Sequence, residues 1–332
     1  MIARSDGAGP EHGALTAEGS VELAVIERSG LVESRHLGAA ALVDADGRVL
    51  RAVGDVHATV YPRSTLKPLQ SIAVLGTGAR FADDELVLAT ASHCGSPEHV
   101  AVVERMLAAD GRDASALQCP AQWPLGARAR SDRRAAGLGP SRETMNCSGK
   151  HAGFLRASDA IGGDAATYLD PEHPLQRRIR ATIEEWTGEP VRHSSIDGCG
   201  APLHATSLAA LARGIARVSS GSTPEAARLM TAVAAEPWAI DGPGRANTLA
   251  IERLGVLAKI GAEGLVVMGT RSGVAVAVKI LDGSMRATTP VALAILVAEG
   301  LVDEDAAAEV LDAIVEPVLG GDEVVGALRV TV

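Results

Sequence analysis

Aromatic residues are nearly missing from this chain: 2 Phe, 2 Tyr and 3 Trp in 332 residues. Its core must therefore be built from Ala, Val, Leu and Ile, which suits close packing of helices on a sheet. Cysteine is scarce as well. Cys94, Cys119, Cys147 and Cys199 are too few and too scattered for a disulfide scaffold. Reduced thiols in a cytoplasmic protein fit best, as core residues, metal ligands or both. No long apolar run is present, since residues 291–298 stop at Glu299, far short of a membrane-spanning helix. The opening residues, Met1 to Gly7, lack the apolar block of a signal peptide. A basic excess is lacking too: 31 Lys and Arg stand against 41 Asp and Glu, a formal net charge of −10 with the signs interspersed. That argues against nucleic acid and against an anionic membrane surface as partners. A metabolic enzyme is the remaining default.

The length allows two domains, or one large α/β unit with an embedded helical lobe. Residues 1–18 are rich in Gly and Ala without periodicity and read as a disordered tail, leaving 19–332 as a single domain. Val21–Arg28 alternates as a strand does. Two apolar runs, 39–43 and 48–53, flank Asp44-Ala45-Asp46-Gly47, where Gly47 suits the positive φ of a hairpin turn. From about 68 to 235 helical patterns dominate, over 69–75, 84–91, 98–109, 174–187 and 202–216, with a loop at 120–134. Strand patterns return at 264–267 and 273–281. Two helices at 291–299 and 304–314 lead to a final extended stretch. The expected fold class is α/β of the α+β kind: a mainly antiparallel sheet from the N- and C-terminal segments, overhung by a helical lobe. The active site would lie between the two.

One chemical motif opens the helical part. In Arg63-Ser64-Thr65-Leu66-Lys67-Pro68, Ser64 and Lys67 are three residues apart, so on a helix they share a face. A lysine that has lost its proton can activate such a serine as a general base. Ser-x-x-Lys by itself also describes a capping serine before a solvated lysine. Acyl-transfer enzymes of this type need two further parts. Ala91-Ser92-His93-Cys94-Gly95, at the end of an apolar helix, offers Ser92 as a proton relay with His93 to orient it. The bland reading is a polar helix end. Lys259-Ile260-Gly261 supplies a Lys-x-Gly, whose glycine permits close backbone approach to a ligand. Lys279 is its rival, in a more structural, alternating context. The order is that of serine β-lactamases, but Ser92-His93-Cys94 replaces Ser-Asp-Asn and Ile260 replaces the threonine of Lys-Thr-Gly. The missing hydroxyl argues against a β-lactamase.

Two more segments are dense in polar groups: Asn146-Cys147-Ser148-Gly149-Lys150-His151 and Asp197-Gly198-Cys199-Gly200-Ala201-Pro202. Two thiolates on Gly-hinged turns with one or two nitrogen ligands would suit a tetrahedral zinc with an open position. Buried core cysteines are the alternative, and Cys-x-x-Lys is not a standard zinc spacing. Cys94 and Cys119 read as structural, and His12, His36 and His57 as surface or turn residues.

Taken together, these five motifs resemble the class 3 (rhizobial-type) L-asparaginase family, also called asparaginase II, over about residues 20–330. The resemblance implies a fold like that of serine β-lactamases and glutaminases, a homodimer, and hydrolysis of L-asparagine to L-aspartate and ammonia. It implies two Ser-Lys tandems, Ser64 with Lys67 and Ser92 with Lys259. In the expected reaction a neutral Lys67 takes the proton of Ser64, which attacks the amide, and Ser92 relays a proton to ammonia. A zinc site would fall on Cys147, Lys150 and Cys199, assisting substrate binding. Arg63, His151 and Asp197 match substrate-site positions. Glutamine or another small amide is the alternative substrate, and a silent amino-acid- or zinc-binding protein the alternative role. Cys94, Ser96 and Ile260 depart from the family's usual residues.

Overall fold

The structure is a computed structural model and describes residues 13–332. The chain opens with β1 (Val21–Arg28), β2 (Leu31–Asp44), β3 (Val49–Val53) and β4 (Thr59–Val60). A helical stretch follows: α1 (Lys67–Leu75), α2 (Asp83–Thr90), α3 (Pro97–Ala109), α4 (Ala127–Ala135), α5 (Ser148–Ala160) and α6 (Pro174–Thr187). Short strands β5 (Ser194–Ile196), β6 (Pro202–His204) and β7 (Thr206–Ser207) precede α7 (Leu208–Ser219), α8 (Pro224–Ala235) and α9 (Ala246–Leu254). The chain then returns to the sheet with β8 (Leu257–Gly261), β9 (Leu265–Gly269) and β10 (Val274–Ile280). It ends with α10 (Thr288–Ala298), α11 (Glu304–Ile314), β11 (Val318–Gly320) and β12 (Glu323–Val330).

The main sheet runs β11-β12-β1-β2-β10-β9-β8, with β3 also paired to β2, and every pairing is antiparallel. It is thus assembled from both ends of the chain, as the sequence patterns predict. Successive residues of β9 and β10 are buried, so both faces are covered, with α7 and α10 packed against them. Small side chains make this approach close. A Cβ on Gly269 would stand 2.6 Å from Ser219 Oγ of α7.

In the helical lobe α2 is central, touching α1, α3, α5 and α8, and Glu85 through Thr90 are all buried. Local signals fix the helix ends. Ser207 and Thr223 accept from the backbone N–H groups of Ala210 and Ala226, proline starts α3, α6 and α8, and Gly188 and Gly255 end α6 and α9 at φ +74° and +65°. Gly149 and Gly153 let α5 press on α2: a Cβ at 149 would lie 2.5 Å from the Leu88 carbonyl oxygen. That contact turns Lys150 and His151 toward the interior.

Several sequence readings need correction. The expected helix at 202–216 is two short strands followed by α7, because Ser207 caps a helix beginning at Leu208. The loop expected at 120–134 contains most of α4. The final stretch is a hairpin, β11 with β12, rather than a single extended segment. His36, read as a surface or turn residue, is buried on β2, and neither ring nitrogen has a hydrogen-bond partner among the described residues. His57 is exposed, while His12 lies outside the described residues. Of the tail expected at 1–18, residues 1–12 are likewise outside them. Residues 13–18 are seated, with Ala14 bridging Thr59 and Gly13 accepting from the Thr59 N–H.

Candidate active site

Ser64 sits in a 3-10 turn, Arg63–Leu66, leading into α1. The turn is held in an unusual shape, with Arg63 at φ +52°, a conformation that costs a non-glycine residue about 1–2 kcal/mol. Arg63 is anchored there by its Nε–H, which donates to Asp197 Oδ1 at 2.7 Å. Its guanidinium also lies 3.7 Å from Glu263. Against this turn runs β8. A Cβ on Gly261 would lie 2.9 Å from the Pro62 carbonyl oxygen and 3.3 Å from Ser64 N, so only glycine fits. This is the physical content of the Lys-x-Gly motif here: it lets the strand bearing Lys259 pass directly beside the turn bearing Ser64.

Behind the turn lie two buried lysines and one serine. Lys259 Nζ donates to Ser92 Oγ at 2.7 Å and to the Ile260 carbonyl at 2.8 Å. Lys67 Nζ donates to Ser92 Oγ at 3.1 Å, to Cys147 Sγ at 3.2 Å and to the Ala91 carbonyl. Burial, reinforced by the neighbouring Lys67 charge, pushes the Lys259 amine well below the usual lysine range. The two expected tandems therefore converge on Ser92. Ser64, half-buried, makes no side-chain hydrogen bond among the described residues, so its expected contact with Lys67 is replaced by a Lys67–Ser92 contact.

Lys67 also links this centre to the thiols. Cys147 at the start of α5 and Cys199 in the 197–201 turn are neighbours, and Lys150 Nζ donates to Cys199 Sγ at 2.9 Å. The neighbouring Cys147 thiol, with Lys150 on the other side, holds Cys199 far below the ordinary thiol range, while Cys147 is pushed well above it. Burial works against the Lys150 charge, yet Cys199 and Cys147 raise its pKa above the usual value.

His151 follows on α5. Its Nδ1 lies 2.7 Å from Tyr168 OH, which accepts the Gln118 N–H. Tyr168 is buried, and its hydroxyl proton has His151 Nδ1 as its acceptor. The proton of the neutral imidazole is therefore on Nε2, a fully buried donor without a close hydrogen-bond acceptor that feels the Cys199 charge. Arg63, Asp197, Cys199 and Lys150 thus form one connected polar run.

His93 acts as a strut. It accepts the Gly95 N–H at Nδ1, so its Nε2–H donates to Ser148 Oγ at 2.9 Å, and its backbone N–H donates to the Asn146 carbonyl. It stacks on His99 at 5.0 Å, and burial, with His99 next, keeps His93 neutral. Lys279, the rival lysine, donates to the Glu263 and Ile280 carbonyls beside the β8–β9 turn, away from Ser92. Cys119 is buried with its thiol on the Arg142 carbonyl, a structural contact. Cys94 is buried against Gly242, and Ser96 Oγ bonds His99 rather than anything in the lysine centre. Ile260 lines a separate cavity of about 330 Å³ with Thr288, Thr289 and Ile314.

Sequence reasoning passes over Tyr168, Asp241 and Asn247. Asp241 and Asn247 flank a Gly-Pro-Gly turn before a helix, a signal of a polar loop presented to a site. Tyr168 has no comparable local signal.

A sequence model of the L-asparaginase II family matches residues 24–330, and the chain belongs to that family. It is an asparaginase-type amidohydrolase, a class acting on small-molecule amides. Among curated proteins, none matches this sequence. Similar solved structures include a β-lactamase from Mycobacterium bovis (14% identity, TM-score 0.43, covering 79% of this chain and 94% of that one). They also include Mglu in its native form (13%, 0.44, 81% and 66%) and in its glutamate form (15%, 0.43, 80% and 61%). Likenesses this distant bear on neither substrate nor mechanism. Among the described residues no helix is long and apolar enough to cross a membrane.

Proposed function

We propose that this protein hydrolyses the side-chain amide of L-asparagine to L-aspartate and ammonia through a serine-bound acyl intermediate. One observation carries the reading: a buried serine hydroxyl bonded to two buried lysine amines, one of them driven toward its neutral form, beside the turn that presents Ser64. Ser64 attacks the amide carbon. Lys67 receives its proton while giving one to Ser92, and Ser92 passes its own to the neutral Lys259 amine. The proton returns along the same path to the departing ammonia, and water then cleaves the β-aspartyl ester. Arg63 and Asp197, held together at the mouth, suit the α-carboxylate and α-ammonium of the substrate. His151 offers an Nε2–H donor.

Zinc belongs to the proposal. Two neighbouring thiols, with an amine on one of them, form a soft S/N donor set. Cys147, Lys150 and Cys199 would hold the ion, which supplies a fixed positive charge that helps fix substrate. Among the described residues no group of three His, Cys, Asp or Glu gathers for a metal, so a lysine ligand is required. A cytoplasmic homodimer completes the proposal.

The test is ammonia release from L-asparagine and L-glutamine side by side, with and without added zinc. Preference for asparagine, abolished in Ser64→Ala without loss of folding, is the expected result. Full activity in that variant ends the mechanism. Preference for glutamine replaces the substrate and keeps the machinery. The Lys259–Ser92 bond favours a second reading, in which Ser92 is the acylated residue. Mass spectrometry of the quenched acyl-enzyme distinguishes the two serines.

A further inference from the structure

Ser92 and Lys259 come from distant parts of the chain, and their 2.7 Å contact needs something to hold it. The segment from Ile240 to Asn247 grips both. On the serine side, Ser92 N–H donates to the Ile240 carbonyl at 3.0 Å, and Cys94 N–H to the Asp241 carbonyl at 2.7 Å. On the lysine side, Asn247 Oδ1 accepts the Ile260 N–H at 3.0 Å, one residue from Lys259. Within the segment, the buried Asp241 carboxylate ties the halves together. Its Oδ1 accepts from Arg245 Nε at 2.5 Å, and its Oδ2 lies 3.4 Å from the Asn247 N–H. Gly242, at φ +137°, lets the segment press on the Ser92 loop, since a Cβ there would lie 2.6 Å from Cys94 Sγ.

The sheet topology explains the need for such a clamp. β8 pairs with β9 on one side and is the last strand of the sheet among the described residues, so no strand there fixes its outer edge. The Ile260 N–H belongs to that edge, and a side chain rather than a strand accepts it. Asn247 is itself fully buried, and its Nδ2 has no partner among the described residues. Leaving an amide donor unpaired in the interior is unfavourable, so Asn247 is a poor choice as mere filling. What it contributes is the acceptor oxygen on β8.

We infer that Asn247 is a positioning residue: through the Ile260 N–H and Asp241 it sets the Ser92 Oγ–Lys259 Nζ contact. The inference rests on the amidase reading for its activity assay only. A misplacement of about 1 Å costs on the order of 10²-fold in rate.

The experiment compares Asn247→Ala and Asn247→Leu, which remove the acceptor, with Asn247→Asp, which keeps one. Kinetics of ammonia release are read at the alkaline plateau of each pH profile, with amide hydrogen exchange over residues 257–261. Asn247→Leu preserves the packing volume and carries the comparison if Asn247→Ala does not fold. The expected result is a kcat lower by about 10²-fold in the Ala and Leu variants, with KM within about threefold. Exchange at Ile260 accelerates, and Asn247→Asp recovers most of both. An unchanged kcat, or an Ile260 amide still protected without the acceptor, overturns the inference, as does an Asp variant no better than Ala. Failure of the amidase reading looks different, because the unmodified protein then releases no ammonia. Exchange at Ile260 still decides whether Asn247 holds the strand.

Discussion

Lys259 and Lys150 are both shut away from solvent, yet their environments drive them in opposite directions. Lys259 faces a hydroxyl, a carbonyl and another lysine, and the more distant pull of Asp241 and Cys147 does not offset the cost of burying a charge. Lys150 faces sulfur: Cys199, held as a thiolate, lies at 2.9 Å with Cys147 close by, and these outweigh the same burial. Burial alone therefore does not decide the state of a lysine. The partner does, and here one fold uses it both ways: the Lys259 amine is pushed toward its neutral form, while Lys150 keeps its proton beside sulfur until a metal ion takes that proton's place. Lys67, touching both Ser92 and Cys147, is the only residue of the described hydrogen-bond network to join the two centres directly.

The comparison breaks most sharply under substitution. Lys259→Met should lower ammonia release by about 10³-fold, the usual weight of a general base. The same change should raise the melting temperature, because an amine that is costly to bury is replaced by an apolar chain of similar length. A melting temperature that falls would mean Lys259 is a stabilising cation after all. Lys150→Met should do the reverse to stability. It strands the Cys199 thiolate, and breaking a buried charge pair costs about 3–5 kcal/mol. Chemical denaturation of the two variants in parallel reads the opposite signs directly, and a shift of the same sign in both removes the distinction.

A smaller effect sharpens it. The folded pKa of Lys259 is depressed, so the amine is neutral above that value and protonated below it. Activity should fall on the acid side as the proton is taken up. Stability follows the same direction: between the depressed pKa and the ordinary lysine range the unfolded chain binds a proton that the folded one does not, so stability rises with pH there. In Lys259→Met both dependences should flatten. A pH–rate profile that keeps its acid limb in that variant would assign the limb to another group.

Much of this was readable in the chain. The positions of Ser64, Lys67, Ser92 and Lys259 follow from motif spacing, and the split sheet follows from strand patterns at both ends. The helix lost at 202–216 shows the limit. Pro202–His204 is apolar enough for either state, and its pairing with Ser194–Ile196 across the Asp197–Ala201 turn makes it a strand. The site shows the same limit. Spacing puts Ser64 and Lys67 on one face, but whether the amine turns to Ser64 or to Ser92 depends on the α2 end that comes beside it.

The sequence by itself determined which groups are available: two serines, three lysines and two thiols, set by residue types at helical spacing and on glycine-hinged turns. Only the tertiary structure decided what each group is. A side chain's protonation and role depend on atoms within a few ångströms, and those atoms come from residues as much as 167 positions apart, as between Ser92 and Lys259. The Asn247 clamp and the Tyr168 hydrogen bond to His151 belong to that second category. Each joins two separate elements, 13 positions apart for Asn247 and Ile260 and 17 for His151 and Tyr168, and no helical or strand spacing encodes such a contact.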